Sequence, residues 1–342
     1  MFKDFKFTSE VKKIEDVYQI KITLPFEVKY SCIYLYEVDG ELVLIDAGLN
    51  MLEWSKLFFS ALEEIGVTLK DIKYCFITHR HMDHIGLIKK FKRKNPDLQI
   101  MMHEITHENI KWESDRNNHA EIDRLAKESI KLMIKYGISE EEVGNLGAMM
   151  SSWAKMAVYQ APDRLLHDGD EIEFKTDKLK IIWTPGHSLG HINIFDDKKR
   201  YLFSGDHILS RITPHIGNFI INPNLNDKHD FTNILKHYLK SLDVIDALNP
   251  RIIFPAHQEI IFNPHKRIIE IKKHHEMRLT EISTMIENNP MTPRQISQKH
   301  FGDLDQMNSY LGLSEILGHL IYLEEEGRVK RIEKNGLYLF SS

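Results

Sequence analysis

The stretch Thr78-His79-Arg80-His81-Met82-Asp83-His84-Ile85-Gly86 follows directly on an apolar run of strand length, Ile72 to Thr78, and leads into a segment of helical character, Leu87 to Lys94. Three imidazoles and a carboxylate fall within six residues. Residues two apart in an extended segment point the same way, so His79 and His81 can grip one metal ion, and the turn into the helix redirects Asp83 and His84 toward a second. A loop at the C-terminal end of a strand is a usual seat for such chemistry. Four potential ligands at this spacing seldom coincide in a merely solvated turn, and a metal site is the expectation.

Further along the chain come Thr184-Pro185-Gly186-His187-Ser188-Leu189-Gly190-His191, then Ser204-Gly205-Asp206-His207, then Pro255-Ala256-His257, each again behind a strand-like run. Ahead of them all stands Leu44-Ile45-Asp46-Ala47-Gly48. This ordered set resembles the five-motif signature of the metallo-β-lactamase superfamily, which includes glyoxalase II, metal-dependent lactonases and several nucleases. The resemblance runs from about residue 15 to about residue 262. It implies an αββα sandwich with the ligand loops gathered on one edge of two packed sheets.

Carried over residue by residue, the resemblance implies that His79, His81 and His187 bind a first metal, that Asp83, His84 and His257 bind a second, and that Asp206 bridges both. Flavodiiron oxidoreductases place a Glu where His81 stands, and single-iron persulfide dioxygenases lose part of the second set, so both fit less well. Two divalent cations about 3.5–4 Å apart can share a water, acidify it and polarise the bond it attacks, which makes a metal-bridging hydroxide the expected nucleophile. Zinc suits a site rich in histidine with carboxylates, while iron and manganese stay open. Asp83 is also the expected catalytic group that orients that nucleophile. Asp46 occupies the place of a carboxylate that fixes a ligand imidazole. His191 and His207 lie beside ligand motifs at positions the family does not use for ligation, and the expectation for both is hydrogen bonding around the site.

The stretch from His207 to Gly217 would then run along the mouth of the site, where Arg211 is the candidate for an anionic group on the substrate, since guanidinium pairs well with carboxylate or phosphate. A salt-bridged loop arginine is the competing reading. His103, His107, His119 and His167 carry no spacing that demands a metal, and His275 falls on the apolar face of a helix as a packed core residue.

Composition sets the frame. The 342 residues exceed one typical domain, and the apolar and charged fractions, 42% and 28%, are those of ordinary soluble proteins. No apolar run approaches the roughly 20 residues needed to span a bilayer. The N-terminus alternates charge with aromatics and lacks the apolar core of a secretory signal. Only Cys32 and Cys75 occur, each in a strand-like stretch, which suits buried thiols in a reducing compartment, so the expected location is cytoplasmic. A net charge of −5 without a long basic block makes nucleic acid a minority partner, and a small molecule is the expected one. The unusual count is histidine, at 19.

Alternation of strand-like and helical segments argues for an α/β (α+β) class. The expected strands are Val17 to Thr23, Ser31 to Val38 and Glu41 to Asp46, the last two joined at Asp39-Gly40, then Ile72 to Thr78, Gln99 to His103, Lys178 to Thr184, His191 to Phe195, Tyr201 to Ser204 and Ile252 to Pro255. Helices are expected at 51–66, 87–94 and 230–242. A helical insertion over about 104–166, with helices at 119–137 and 139–158, carries Met133, Met149, Met150 and Met156, which read either as core packing or as an adaptable apolar wall.

The catalytic domain is expected to span 1–264. Residues 265–342 read as a winged-helix-like C-terminal domain: helices around 268–286, 293–302 and 313–326, then a hairpin turning at Asn335-Gly336. A metallo-β-lactamase domain followed by a winged helix resembles the subgroup of lactamase-β-2-like proteins, in which the small domain packs beside the active site. Its third helix, Leu313 to Glu326, has no Lys or Arg and carries Glu315, Glu324, Glu325 and Glu326, which repel phosphate. The expectation is that this region walls the substrate cleft or supports a homodimer. Hydrolysis of an ester, thioester, lactone or related acyl bond is the leading function. A metal-dependent endoribonuclease or phosphodiesterase, helped by Lys89, Lys90, Lys92, Arg93 and Lys94, is the second reading, and a non-enzymatic nucleic-acid-binding regulator the third.

Overall fold

The computed structural model describes residues 5–342 apart from 27, 145, 217–224 and 226–228. Gly217, the end of the expected mouth segment, lies outside the described residues.

Seven strands form the first sheet in chain order: β1 (Ser9–Ile14), β2 (Val17–Thr23), β3 (Tyr30–Val38), β4 (Glu41–Ile45), β5 (Ile72–Ile77), β6 (Gln99–His103) and β7 (Arg164–Leu166). β1 to β4 pair antiparallel and β4 to β7 parallel. The β3–β4 turn is the expected Asp39-Gly40, both residues at positive φ (51° and 83°), as a two-residue hairpin turn matched to strand twist requires. The second sheet has five strands in the order β12-β11-β10-β9-β8, namely β8 (Glu171–Glu173), β9 (Lys178–Trp183), β10 (Ile192–Asp196), β11 (Tyr201–Gly205) and β12 (Ile252–Pro255).

The period-2 alternation of side chains decides how these sheets stack. On β3, Ile33 and Leu35 face a core shared with helices α1 (Leu52–Ile65) and α3 (Ile88–Lys94), whereas Cys32, Tyr34, Tyr36 and Val38 face the second sheet. That sheet answers with Ile194 of β10, Tyr201 and Phe203 of β11, and Phe254 of β12. Tyr34 meets Phe203 and Phe254 at 5.7 and 5.5 Å between ring centroids. The other face of the second sheet, Phe195, Leu202 and Ile253, belongs to a third core. Helix, sheet, sheet and helix therefore stack as the expected αββα sandwich.

The third core draws together distant stretches of chain. It contains Met133 of α5 (His119–Lys135), Met150 of α7 (Leu146–Lys155), Tyr238 of α8 (Ile234–Leu248), Ile268 and Ile282 of α9 (Pro264–Ile286), Ile296 of α10 (Pro293–Phe301), and Ile316 and Leu320 of α11 (Gln306–Glu325). Met133 and Met150 are thus core packing, and Met156 is exposed. The terminal hairpin, β13 (Lys330–Lys334) and β14 (Leu337–Ser341), adds Phe340 to the same core. Residues 265–342 consequently share their apolar interior with the sandwich and the helical segment. That segment is bolted to them by Arg294 with Glu142, by Lys135 near Tyr338 at 3.4 Å, and by the 3.0 Å bond from the Arg294 amide to the Tyr136 carbonyl.

The structure departs from the sequence reading at the helical segment. A helix not expected from its weak apolar periodicity, α4 (Glu104–Ser114), leads it, opened by His103, whose Nδ1 accepts from the Ile105 amide at 3.2 Å. The short α6 (Glu140–Val143) and α7 replace one long helix. Residues 164–166 form strand β7, so the segment is the crossover between two parallel strands of the first sheet. α8 runs six residues beyond the expected end to a left-handed Asn249, and α11 starts seven residues earlier, capped by Asp305. Among the described residues, no helix is long and apolar enough to cross a membrane.

Two buried imidazoles in this accessory region carry a pH consequence. His319 Nδ1 donates to the Glu315 carbonyl at 2.7 Å, leaving its Nε2 to accept from His275 Nδ1 at 3.0 Å. Burial, and for His275 the neighbouring His319 ring, pushes His275 down to about 3; burial pushes His319 down to about 4. Above pH 6.5 both rings are neutral whether the chain is folded or unfolded, and they contribute no pH dependence. Below it the unfolded chain takes up protons that the folded chain refuses until near pH 4 to 3, so stability falls as pH falls through that window. The thermal midpoint should therefore decline below pH 6.5, with a shallower decline in His275→Leu; an unchanged slope in that variant would contradict the assignment.

Candidate metal centre

All of the ligand-bearing loops leave the sheets at one edge. His79 and His81 follow β5, His84 sits in the one-turn helix α2 (Met82–Ile85), His187 lies in the β9–β10 loop, Asp206 follows β11 and His257 follows β12. The turn after β11 depends on Gly205, at φ 49°, where a Cβ would stand 2.6 Å from His191 Nε2 and 2.8 Å from Thr78 Oγ1. Only glycine fits there, and it swings Asp206 into the gap between the two sheets.

The seven side chains converge as two groups of donor atoms: His79, His81, His187 and Asp206, and Asp83, His84 and His257. In the first, His81 Nδ1 lies 2.9 Å from His79 Nε2 and 3.0 Å from His187 Nε2, and Asp206 Oδ2 lies 3.3 Å from His187 Nε2 and 3.9 Å from His79 Nε2. In the second, Asp83 Oδ2 is 3.3 Å from His257 Nε2 and 3.6 Å from His84 Nε2. Asp206 Oδ1 is 3.3 Å from His257 Nε2 and 3.5 Å from His84 Nε2. Asp206 thus turns one oxygen to each group.

The far side of each ring fixes which nitrogen faces inward. His187 Nδ1 donates to the His215 carbonyl at 2.9 Å and His257 Nδ1 to the Tyr30 carbonyl at 2.6 Å. His84 Nδ1 donates to Asp46 Oδ2 at 2.8 Å. A carbonyl or carboxylate partner obliges each Nδ1 to carry a proton, which leaves Nε2 free to bind a cation. His79 Nδ1 meets Thr78 Oγ1 at 3.0 Å, and that hydroxyl in turn reaches Asp46 at 3.0 Å. One buried carboxylate, Asp46, therefore orients His84 directly and His79 through Thr78. Asp46 holds φ 71°, a strained value for a residue with a side chain, and also accepts from the Thr78 amide at 2.8 Å.

These donors fit divalent cations. Tetrahedral ligands at about 2.0–2.1 Å stand about 3.3 Å apart along each edge, close to the separations found here. His84 Nε2 and Asp206 Oδ1 are buried without a hydrogen-bond partner among the described residues. The local field is divided: burial holds His79 and His81 well below the ordinary histidine range, with further depression from the facing His84 and His187. Against the cost of burial, Asp83, Asp206 and Asp46 raise His84 to about 9, and Asp206 and Asp83 raise His257. The charges of His84 and His257 in turn keep Asp83 and Asp206 ionised despite their burial.

The remaining expected residues divide. His191 Nε2 accepts from the Asp206 amide at 3.1 Å, its Nδ1 meets Thr184 Oγ1 at 3.0 Å, and its ring stacks on His79 at 5.1 Å. His207 does not make the expected ring hydrogen bonds: neither nitrogen has a partner among the described residues, and the ring packs against Tyr238 at 4.9 Å. The reason is local, since the turn that aims Asp206 inward sends the next side chain into the apolar third core. Arg211 is exposed, held by its backbone amide to Gln258 Oε1 at 2.7 Å, and its guanidinium makes no ion pair among the described residues. Three of the five basic residues on α3 are engaged elsewhere: Lys92 pairs with Asp163 at 2.7 Å, Lys90 bonds Ser55 at 2.6 Å, and Lys94 lies 4.8 Å over Phe59, while Lys89 and Arg93 are exposed. Thr78, Tyr30 and His215 escaped the sequence reading, the last two because they act through backbone carbonyls that any residue supplies.

The metallo-beta-lactamase superfamily model matches residues 28–257, two thirds of the chain and all seven converging side chains. The chain belongs to the metallo-beta-lactamase superfamily. It is 28% identical over 326 residues to the probable metallo-hydrolase YqjP of Bacillus subtilis, an alignment covering 95% of this chain and 97% of that protein. It is 27% identical over 203 residues to the acyl-coenzyme A thioesterase MBLAC2 of Bos taurus, covering 54% of this chain and 64% of that one. Among solved structures, a metallo-beta-lactamase family protein from Thermus thermophilus superposes with a TM-score of 0.75 at 26% identity, covering 96% of this chain and 99% of that one.

Asp46→Asn keeps the shape but removes the charge that holds the Thr78 hydroxyl and the His84 proton. Loss of such a partner typically costs 10–100-fold in metal affinity. The variant should lose metal to a competing chelator at correspondingly lower chelator concentration than the parent, with its thermal midpoint measured in parallel; equal retention would show that Asp46 does not orient the two imidazoles.

Proposed function

We propose that this superfamily member is a dinuclear metal-dependent hydrolase that cleaves an ester, thioester, lactone or related acyl bond of a small molecule in the cytoplasm. The observation that carries the reading is Asp206, buried with one oxygen toward each of two histidine-rich groups. His79, His81 and His187 would hold one cation, Asp83, His84 and His257 the other, with Asp206 shared. Zn2+ suits this donor set best, with iron and manganese as the alternatives. Two such cations supply Lewis acidity to a carbonyl and lower the pKa of water.

The chain's own groups do the rest. Asp83, 3.3 Å from His257 Nε2 and 3.6 Å from His84 Nε2, would orient the attacking water. His191 fixes the Asp206 backbone, and Asp46 with Thr78 fixes two imidazoles, so little reorganisation is needed during reaction. Arg211, exposed and unpaired among the described residues, pairs with an anionic group on the substrate. The helical segment and the winged-helix-like residues 265–342 wall the cleft, with a homodimer as a further expectation for the same region. The thioesterase relative supports the acyl class. The nuclease and regulator readings gain nothing from Lys90, Lys92 and Lys94 of α3, which are engaged within the chain, or from the glutamates of α11.

Protein purified without added metal should contain about two metals per chain and hydrolyse at least one member of a panel of thioesters, lactones and esters in preference to phosphodiesters and RNA. Asp206→Ala should abolish turnover and lower metal content. A chain that takes up no zinc, iron or manganese would contradict the reading, and preferential RNA cleavage would replace the acyl substrate with a phosphodiester.

A further inference from the structure

The two halves of the centre share Asp46, which holds His84 in one and, through Thr78, His79 in the other, but their remaining anchors differ. In the Asp83–His84–His257 half the hydrogen-bond partners come from the first sheet and its loops, even for His257, which itself follows β12: His84 on Asp46, His257 on the Tyr30 carbonyl, and the Asp83 carbonyl near the Ser31 hydroxyl at 3.4 Å. The other half reaches the C-terminal region. His187 donates to the carbonyl of His215, and the ring of that same His215 extends the other way to α11, where the Ser314 hydroxyl meets its Nε2 at 3.4 Å, the long end of the hydrogen-bond range. Ser314 is only 2% exposed.

α11 is a rigid support. Leu313, Ile316, Leu317, Leu320 and Leu323 are all buried in the third core, so Ser314 cannot drift without disturbing close packing. One turn earlier, Tyr310 lies within electrostatic reach of Arg80, the residue between His79 and His81. Arg80 is itself paired at 2.5 Å with the buried Glu113 of α4. The same helix thus approaches the His79–His81–His187 half at two places, and among the described residues none of the contacts on the other half comes from it.

We propose that α11 is a positioning element of the metal centre: through Ser314 and His215 it sets the orientation of His187, so the C-terminal region tunes the affinity of the His79–His81–His187 half and leaves the Asp83–His84–His257 half to the first sheet. Ser314 and His215 are positioning residues, since neither touches the donor space itself. The inference rests on the dinuclear reading given above.

Stepwise zinc titration of the full chain against a chromophoric chelator tests it. His187→Ala and His257→Ala mark which binding step belongs to which half. Ser314→Ala, and His215→Ala, which keeps the carbonyl but removes the ring that ties it to α11, are expected to weaken the step that His187→Ala abolishes by up to about tenfold and to leave the other step unchanged. Ser314→Thr, which keeps the hydroxyl, should recover the parent affinity, and the thermal midpoints of the metal-free proteins establish that the variants are folded. Should His215→Ala fail to fold, the Ser314 pair carries the test alone. Equal weakening of both steps, unchanged affinity in Ser314→Ala, or no recovery in Ser314→Thr would overturn the inference. A parent chain that binds no zinc would overturn the dinuclear reading beneath it, a failure visible before any variant is compared.

Discussion

Burying Asp206 and Asp46, together with the largely covered Asp83, beside five imidazoles is the constraint around which this molecule is arranged. An isolated carboxylate taken out of water costs several kcal/mol, and the cost is met only if positive charge and hydrogen-bond donors are supplied at short range. Here the partners come from loops at the ends of five strands in two different sheets, β4, β5, β9, β11 and β12. No single element could hold the site. The sandwich is therefore the device that brings the loops to one edge, and its aromatic interior, with Tyr34 and Tyr36 against Phe203 and Phe254, fixes the spacing between the sheets on which the separations between first-sheet and second-sheet donors depend.

The second layer of contacts turns that convergence into a directed site. Carbonyls of Tyr30 and His215 and the carboxylate of Asp46 each claim the outward nitrogen of an imidazole, and so decide which lone pair faces inward. His191 does the same for the backbone of Asp206. The accessory helices are part of the same construction, because their apolar residues share one core with the outer face of the second sheet and because α11 approaches the site at Ser314 and Tyr310.

Much of this was legible in the sequence, for a physical reason. Motifs such as His79 to His84 and Ser204 to His207 combine residue types that are costly to bury with positions directly behind apolar runs, and both signals are local. The apolar runs of β3 and β4 and the Asp39-Gly40 and Asn335-Gly336 turns are local too, and the elements stand where they point. What escaped was non-local. Strand β7 has three residues and is defined by its pairing with β6, and α4 carries little apolar periodicity of its own. The unpartnered ring of His207 could not be foreseen because its direction depends on the Gly205 turn. Tyr30 and His215 contribute carbonyls, which leave no mark on residue type. The continuity of the third core across residue 264 is likewise a property of packing, since each helix alone reads as an ordinary amphipathic segment.

The central claim is that one carboxylate is shared between two cations. Crystals grown with zinc and measured on both sides of the zinc absorption edge would test it most directly, because anomalous scattering locates each ion independently of the protein. The account predicts two peaks about 3.5–4 Å apart, one among His79, His81 and His187, one among Asp83, His84 and His257, with Asp206 touching both. A single peak, or two peaks without Asp206 between them, would contradict it.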